Sequence, residues 1–430
     1  MNPHDGKADG APVPQGTAAE EVAADATAID GAAGGTAGGG RVGIDRLIAE
    51  HAALLSAKLR LQRSALWPAG ARKTLRRFTS GEVARLLGVN DAYLRRLHLD
   101  GRGPQPEIRP GGRRLYTPED VQRLRVLLEA GARQPGAYLP HRRPGEHLQA
   151  IAVINFKGGS GKTTTAAHFA QRAALGGYRV LALDLDPQAS LTTLFGLQPE
   201  LDLAGGTLLE AIRHEAPRPL AEVIQPTYFA GLDLVPGNLE LMEFEHEVPR
   251  ALMRGEGGLF FTRLADRLAE VEDRYDLVVM DCPPQLGFLT LSALSAATAM
   301  LVTVHPQMLD VMSMCQFLHM TADLLGVVAE AGGDTRLDWL RYVMTRHEPG
   351  DGPQAQMAAF LRALFGDHVL TNAALKSTAI ADAGITNQTL YEVERGAFNR
   401  LTYERALESV EAVNAEILGL VHAAWGRAAA

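Results

Sequence analysis

A glycine-rich segment between an apolar run and an alanine-rich stretch constrains this chain more than any other feature. Residues 155–165 read Asn-Phe-Lys-Gly-Gly-Ser-Gly-Lys-Thr-Thr-Thr and close the apolar run 150–156. A loop of this composition between a strand and a helix surrounds phosphate oxygens with backbone N–H groups, and the helix N-terminus adds the positive end of its dipole. The segment therefore predicts a phosphate-binding site in an α/β domain.

Two lysines and a threonine carry the chemistry expected of this loop. Lys162 is expected to reach the β- and γ-phosphates of ATP, and the Thr163 hydroxyl to hold Mg²⁺. Phe156 stands where the first glycine is usual, and Lys157 precedes the glycines. Lys157 points out of the loop, so it either reaches a nucleotide bound by another subunit or is a solvated surface lysine. The predicted ATP-binding residues of the loop are Lys157, Gly158, Gly159, Ser160, Gly161, Lys162, Thr163 and Thr164.

Carboxylates follow two of the predicted strands. Asp184 and Asp186 come at the end of the apolar run 180–185, and Asp281 ends the run 277–281. In doubly wound sheets, ligands bind beyond the carboxyl ends of the strands. A carboxylate there can hold Mg²⁺ or orient an attacking water. A single aspartate after a strand is usually only a turn or cap residue, but three at matching ends favour the functional interpretation.

Short apolar runs alternate with segments of helical period after residue 148, which indicates a mainly parallel sheet covered on both faces. The predicted fold class is α/β: a doubly wound, mainly parallel P-loop domain, preceded by an N-terminal all-α helix-turn-helix domain of winged or MerR-like type. Strands are predicted at residues 150–156, 180–185, 232–236, 277–281, 300–304, 340–345 and 369–370.

The N-terminal part differs from the rest in charge. Residues 41–150 hold 21 Lys and Arg against 10 Asp and Glu, whereas residues 151–430 hold 20 against 34. A basic segment joined to an acidic body favours a polyanion-binding module attached to a separate machine. Within it, residues 78–130 combine a capping box at Thr79 and Glu82, a turn at Gly88 and a glycine-tipped hairpin.

This pattern is typical of a winged helix-turn-helix, whose second helix lies in a major groove of DNA. Arginines on such elements mostly contact phosphates. The alternative is a basic three-helix packing domain. The predicted DNA contacts are Arg95 and Arg96 on the second helix, with Arg109, Arg113 and Arg114 around the hairpin.

Three motifs together resemble those of a known family. Residues 157–164, the segment Asp184-Leu-Asp186-Pro-Gln and the segment Val279-Met-Asp281-Cys-Pro-Pro are similar to the deviant Walker A, A′ and B motifs of ParA-type partition ATPases. The resemblance continues through residues 235–239 and 345–346 to residues 372–391. With the helix-turn-helix it covers about 45–425, and it is strongest with the RepA branch of RepABC plasmid replicons.

The resemblance implies an activity and a set of partners. It implies an ATPase that uses ATP and Mg²⁺ and forms an ATP-dependent, ATP-sandwich homodimer. It further implies non-specific DNA binding in the ATP state, with an operator read by the N-terminal module, and slow hydrolysis stimulated by a ParB-type centromere-binding protein. The implied role is segregation of a plasmid or secondary chromosome, with repression of its own operon.

The resemblance also assigns roles to single residues. Lys157 acts across the dimer and Lys162 on the phosphates, and with Asp186, which polarises water, they form the catalytic set. Thr163 and Asp281 serve the metal. Pro306 and Gln307 fall where the family contacts the nucleotide base.

The predicted organisation has five parts: a disordered tail at 1–40, an amphipathic helix at 41–66, the helix-turn-helix domain at 72–132, a linker at 133–147 and the ParA-like ATPase domain at 148–430. The tail lacks the large apolar residues that would offset its ordering entropy. The amphipathic helix either packs on its own domain or pairs with another chain.

Two other functions remain open: a transcriptional repressor for which ATP is only a ligand, and a positioning ATPase for another cargo. A membrane-bound version is expected to end in a basic amphipathic helix, but residues 404–424 carry four glutamates on their polar face. The longest apolar stretches, such as 296–304, fall short of the ~20 residues that span a bilayer. Two cysteines suit a reducing cytosol, so the expected location is the cytoplasm, on the nucleoid, without a membrane partner.

Overall fold

The computed structural model describes residues 44–66, 73–199, 202–255, 258–394, 396 and 399–427. The tail predicted at 1–40 lies outside the described residues. Helix α1 (Ile44–Leu66) belongs to one compact unit and the chain from Gly70 onward to a second. On α1, the side chains of Ile44, Leu47 and Ile48 are exposed.

The second unit alternates helices with strands, as the apolar runs predict. Its described helices are α2 (Ser80–Leu87), α3 (Asp91–Leu99), α4 (Pro118–Ala130), α5 (Lys162–Gly176), α6 (Ser190–Leu194), α7 (Leu208–Ile212), α8 (Leu220–Val223), α9 (Met242–Met253), α10 (Arg263–Ala269), α11 (Phe288–Ala296), α12 (Met308–Glu330), α13 (Gly352–Phe365), α14 (Thr378–Ile385) and α15 (Arg400–Ala424). Its described strands are β1 (Phe78–Thr79), β2 (Glu107–Arg109), β3 (Arg113–Tyr116), β4 (Gln149–Ile154), β5 (Val180–Asp184), β6 (Gln225–Pro226), β7 (Leu232–Val235), β8 (Leu277–Asp281), β9 (Ala299–Val304) and β10 (Trp339–Met344).

The large sheet has the strand order β10-β9-β4-β8-β5-β7-β6. Every pairing in it is parallel except that of β6 with β7 at the edge. The predicted doubly wound, mainly parallel sheet is confirmed. The strand predicted at 369–370 is not formed: this run makes only a single parallel bridge, between Val369 and Tyr342. Sequence analysis missed β6, where Pro226 is tolerated because an edge strand leaves one side unpaired.

Two hydrophobic clusters cover the faces of this sheet. One face packs against α9 to α13. The other packs against α5 and α15, and the same cluster continues into apolar side chains of the helix-turn-helix, including Val83, Leu94 and Leu124. The small domain therefore shares a core with the large one.

The N-terminal module follows the predicted local signals. Thr79 caps α2 through a capping box with Glu82, and Gly88 ends the helix at a φ of 63°. Asn90 caps α3 by accepting a hydrogen bond from the Ala92 amide at 2.8 Å. The expectation of an all-α module needs one amendment: the hairpin β2–β3 also pairs with β1 in a three-stranded antiparallel sheet.

One buried arginine joins the module to the sheet domain. Arg125 on α4 is 3% exposed and donates to the backbone carbonyls of Leu86 and Tyr138 at 2.9 Å each, and to that of Leu175. Leu175 lies in the last turn of α5, where carbonyl groups lack partners within the helix. Arg125 therefore supplies hydrogen bonds to helix ends on both sides of the boundary.

The segment 133–147, for which the sequence predicts a linker, makes buried contacts with the large domain. Arg142 donates to the Tyr275 carbonyl at 3.0 Å, and its backbone N–H donates to Asp276 at 2.9 Å. Glu146 forms an ion pair with Arg427 in which each side chain is 9% exposed. These contacts hold the segment between the two domains.

One helix in the described part of the chain, Met308–Glu330, is long and apolar enough to cross a membrane by length and composition alone. The helix connects β9 to β10, and Met314, Phe317 and Val328 on it are buried. A crossover helix on a hydrophobic core passes the same test, so this feature is weak support for a membrane span.

We expect Arg125→Met to loosen the helix-turn-helix module. The substitution leaves three carbonyls without their donor, one of them in a buried hydrogen bond, and a buried unsatisfied group costs about 1–3 kcal/mol. Urea unfolding is expected to show a loss of about 2–5 kcal/mol, and amide exchange to rise first in Ser80–Leu87. Arg123→Met, on the exposed side of the same helix, is the control; an equal loss in both variants would contradict the anchoring role.

Candidate nucleotide site and DNA-binding module

The glycine-rich loop turns from β4 into α5 in a strained path that glycine permits. Gly159 and Gly161 have φ angles of 74° and 86°, in the left-handed region. Thr345, which follows the edge strand β10, supports the turn: its hydroxyl donates to the Ser160 carbonyl at 2.7 Å, and a Cβ at Gly161 would lie 3.4 Å from Thr345. These contacts fix the conformation of the loop at the N-terminus of α5, where a bound phosphate would meet the helix dipole.

Lys162 lies inside this cradle. It is 6% exposed, and its Nζ donates to the Lys157 carbonyl at 3.3 Å. Burial lowers the pKa of Lys162, while the nearby Asp281 and Asp186 carboxylates oppose that shift. The ammonium group is therefore desolvated and aimed into the loop, where a phosphate would be its strongest partner.

Asp184 and Asp281 end neighbouring strands and are paired in register. Both are fully buried. The carboxylate of Asp184 accepts hydrogen bonds from the backbone N–H and hydroxyl of Thr192 at 2.8 and 2.7 Å, and burial raises its pKa to about 7. Sequence analysis correctly placed these carboxylates together at the carboxyl edge of the sheet.

Asp281 differs from Asp184 in its partners. Among the described residues, neither of its carboxylate oxygens has a hydrogen-bond partner of full geometry. Burial and the adjacent Asp184 raise the pKa of Asp281, whereas the Thr163 hydroxyl and Lys162 lower it. A buried carboxylate with orphaned oxygens beside a threonine hydroxyl fits the oxygen ligands that Mg²⁺ takes from protein.

The described residues contain no group of three or more His, Cys, Asp or Glu side chains placed to hold a metal ion. Mg²⁺ keeps several waters and uses one or two protein ligands together with substrate phosphates. The pair Thr163 and Asp281 therefore suits Mg²⁺ that arrives with a nucleotide better than a resident metal.

Asp186 is half-buried beyond the end of β5. Its backbone N–H donates to Asp184 at 3.2 Å, and its carboxylate accepts from the Gln188 N–H at 2.9 Å in a turn. The turn continues through Ala189, whose φ of 53° is unusual for a residue with a side chain. Asp186 thus lies in a constrained loop, close enough to Lys162 to oppose the lowering of that lysine's pKa.

Lys157 lies outside the loop and is paired within the same chain. Its Nζ is 2.6 Å from Oδ2 of Asp310, the third residue of α12; the lysine side chain is 40% exposed and the aspartate 5%. The two line a cavity of ≈ 230 Å³ with Gly158, Gly159, His305, Gln307, Arg346, Glu348 and Lys376. Sequence analysis missed Asp310, because nothing in its spacing marks it as a partner of a residue 153 positions away.

The two residues predicted to contact the nucleotide base, Pro306 and Gln307, differ in solvent exposure. Gln307 is exposed at the start of α12 and lines the cavity, whereas Pro306 is buried and is not among the residues that line it. Arg346, the second residue after β10, donates to the Gly159 carbonyl at 3.2 Å, and its backbone φ is 52°. It is a cation at the loop that sequence analysis did not assign.

The predicted DNA contacts are largely on the surface of the module. Leu94 and Leu97 are buried, which turns Arg95 and Arg96 of α3 outward. Arg109 and Arg113 are exposed on the hairpin, although Arg109 also pairs with Glu107 at 3.1 Å. Arg114 is the exception: it is only partly exposed.

We expect Asp281→Asn to stabilise the protein in EDTA, and more so at higher pH. Because folding raises the pKa of this carboxyl above 3.8, the folded state holds a proton that the unfolded state loses, so wild-type stability falls as pH rises above about 4. The amide carries no such cost. Urea unfolding at pH 8 is expected to show a gain of about 1–3 kcal/mol, which shrinks toward pH 4.

The exposed Asp273 provides the control. Asp273→Asn, in the turn before β8, is expected to leave the pH dependence of unfolding unchanged. A gain for Asp281→Asn that is equal at pH 4 and pH 8 would contradict the ionisation argument.

Comparisons with known proteins agree with this geometry. Residues 148–326 match the family described as AAA domain, and residues 79–116 match the MerR family regulatory proteins. The chain is 55% identical over 386 residues to a protein named "Putative replication protein A" from Sinorhizobium fredii. That alignment covers 89% of this chain and 95% of the relative. It is 31% identical over 332 residues to Protein SopA of Escherichia coli, with 75% and 82% covered.

Solved structures share the fold. A structure titled Partition Protein superposes with a TM-score of 0.61 at 19% identity, over 86% of this chain and 98% of that chain. The ATP complex of a variant of McdA from Cyanothece superposes with a TM-score of 0.52 at 21% identity. The superposition covers 66% of this chain and 98% of that chain.

The predicted P-loop and MerR-like assignments are therefore confirmed. The chain is an ATPase with a MerR-like DNA-binding module at its N-terminal side. Since relatives named for replication and partition match it across most of both chains, this protein belongs to the ParA-type partition ATPases, in the branch of the replication proteins A.

Proposed function

We propose that this chain segregates a plasmid or secondary chromosome by an ATP-driven switch. ATP binding promotes dimerisation and non-specific DNA binding on the nucleoid, a ParB-type centromere-binding protein stimulates slow hydrolysis, and the N-terminal module represses the chain's own operon. The observation that carries this proposal is the second lysine. Lys162 is buried within the loop of its own subunit, whereas Lys157 lines the cavity beside the loop and pairs with Asp310.

Each residue of the proposed hydrolytic site has a separate role. Lys162 and the loop N–H groups hold the phosphates, and Thr163 and Asp281 would hold Mg²⁺, which neutralises phosphate charge when bound. Asp186 orients the attacking water, because its turn fixes the carboxylate while leaving it partly exposed. Gln307 contacts the nucleotide base from the cavity wall.

Dimerisation is proposed to change the partner of Lys157. In the single chain, the ammonium group pairs with Asp310 at 2.6 Å. A nucleotide of the opposite subunit offers more negative charge than one carboxylate, so Lys157 exchanges Asp310 for that phosphate. The exchange makes the dimer depend on the triphosphate.

The first test separates the two lysines. Lys162→Gln removes a charged contact with the nucleotide of the same subunit and is expected to weaken binding of a fluorescent ATP analogue about 10- to 100-fold. Lys157→Gln is expected to bind that analogue within a few-fold of wild type at concentrations where the chain is monomeric. In ultracentrifugation with ATP it nevertheless fails to dimerise.

The control is Arg336→Gln. This exposed residue pairs with Asp334 just before β10, at the edge of the sheet opposite the loop, so its dimerisation is expected to match wild type. ATP-dependent dimerisation of Lys157→Gln at wild-type strength would reduce Lys157 to a surface lysine.

The second test concerns the DNA module. Arg95→Ala/Arg96→Ala is expected to abolish the preference for a duplex from the region upstream of the chain's own gene over an unrelated duplex. It should also lower the slope of log affinity against log salt by about 1–2, as two phosphate contacts are lost. ATP-dependent binding to unrelated DNA is expected to persist. An unchanged footprint on the upstream duplex would reject α3 as the recognition helix.

A repressor that uses ATP only as a ligand is the second candidate, favoured by the match of residues 79–116 to the MerR regulators. Turnover separates the two. Stimulation of ATP hydrolysis by the ParB-type protein of the same replicon supports partition, whereas operator binding without stimulated turnover supports the repressor.

A further inference from the structure

A buried polar cluster outside the nucleotide site joins three parts of the chain. Lys73, which is 6% exposed, lies at the start of the helix-turn-helix domain, before β1. Its Nζ donates to the carbonyls of Leu194 at 2.6 Å and Asn387 at 2.5 Å and pairs with Oε1 of Glu392 at 2.5 Å. All three ammonium protons therefore have acceptors. Glu392 also accepts from the Tyr228 hydroxyl at 2.7 Å.

One arm of this cluster leads to the loop around Asp186. Leu194 ends helix α6, which follows the Asp186 turn, and Thr192 in the same helix holds the buried Asp184 through two hydrogen bonds. Lys73 packs closely on the end of this helix, since a Cβ at Gly196 would lie 2.9 Å from the Lys73 Cβ. A shift of the Asp186 turn would therefore move an acceptor of Lys73.

A second arm leads to the phosphate-binding helix α5. Thr389 donates from its hydroxyl to Gln171 of α5 at 2.5 Å. His168, one turn nearer the loop, accepts from the Leu390 N–H at 3.2 Å and bonds the Thr164 carbonyl at 2.7 Å. Thr164 is the neighbour of Thr163. The segment 387–392 is thus attached to the first turns of the helix that cradles phosphate.

The cluster continues into the DNA-binding module through Arg76. Arg76 donates to the Tyr391 carbonyl at 3.1 Å, and its guanidinium lies 2.9 Å from the Glu82 carboxylate. The same carboxylate accepts from the Thr79 N–H at 2.8 Å and closes the capping box that starts α2. The start of the module and the segment 387–392 therefore share hydrogen bonds.

Stability alone is a poor explanation for such a cluster. Burying an ion pair often costs as much in desolvation as it returns, and an apolar replacement of similar volume is frequently neutral. The module already has apolar contacts and Arg125 to hold it. What the Lys73–Glu392 pair adds is a set of hydrogen bonds of fixed direction. They tie the start of the module to α6 and to segment 387–392, which contact the elements of the nucleotide site.

We propose that Lys73 and Glu392 are positioning residues that couple the nucleotide site to the DNA-binding module. The inference rests on the proposed function, because it assumes that ATP binding moves the Asp186 turn or the start of α5. Lys73 receives both movements, through Leu194 and through segment 387–392, and Arg76 passes them to the capping box of α2. Coupling of this kind is a free energy shared by two sites and therefore acts in both directions.

The test is amide exchange in the full chain with and without a slowly hydrolysed ATP analogue and Mg²⁺. In wild type, the analogue is expected to change exchange in Ser80–Leu87 by about fivefold or more, the lower end of ordinary coupling. In Lys73→Met/Glu392→Gln, which leaves no buried unpaired charge, that change is expected to fall below about twofold. Affinity for the analogue should remain near wild type.

Glu146→Gln is the matched control. It removes the charge of another ion-paired carboxylate, one that pairs with Arg427 outside the cluster. The exchange response of the module to the analogue is expected to match that of wild type. Thr389→Val, an isosteric cut of one hydrogen bond, gives a second variant if the double substitution does not fold. In this variant, the change in exchange of Ser80–Leu87 on binding the analogue is expected to be at most half of that in wild type.

Each result decides the question. A wild-type chain that binds the analogue without any change in Ser80–Leu87 overturns the inference, and so does a full response in both cluster variants. A wild-type chain that does not bind the analogue contradicts the proposed function itself. Binding of the analogue is measured in the same samples, so the two failures are distinguished.

Discussion

The structure depends on a balance of buried charge at one edge of the sheet. Lys162, Asp184 and Asp281 are all nearly or fully buried there, and the oxygens of Asp281 have no full hydrogen-bond partner among the described residues. Burying these ionisable side chains together is costly in the absence of a ligand, because their charged forms are desolvated. In the proposed function, a nucleotide with Mg²⁺ would relieve this cost, because its phosphates would contact the lysine and the loop amides while Thr163 and Asp281 would hold the metal. We therefore expect the site to be most stable when a nucleotide is bound.

Helix α5 carries this balance into the rest of the molecule. Its first turn forms the cradle, its middle contacts segment 387–392 through His168 and Gln171, and its last turn is met by Arg125 of the DNA-binding module. Burial lowers the pKa of His168, which therefore stays neutral and can both donate and accept. The ATPase domain and the module are therefore joined by contacts on α5, by a common hydrophobic cluster and by a hydrogen-bonded network.

Much of this was predictable from local signals. The loop 155–165 lies between a strand and a helix, the aspartates at 184 and 281 meet at neighbouring strand ends, and Thr79 with Glu82 caps α2. These predictions succeeded because glycine spacing, apolar period and capping chemistry act within a few residues. The short strands β1 and β6 were missed, since two residues carry no period and pair only because a neighbouring strand is already in place.

The sequence by itself determined the type of fold, the phosphate loop, the carboxylates that serve it and the basic character of the N-terminal module. Only the tertiary structure decided which distant residues meet them: Asp310 on Lys157, Arg346 on the loop, Glu392 on Lys73 and Arg125 on the end of α5. The physical reason is that an ion pair or a hydrogen bond to a carbonyl needs only charge and distance. No residue pattern along the chain records which partner the folding of the sheet will bring within hydrogen-bonding distance.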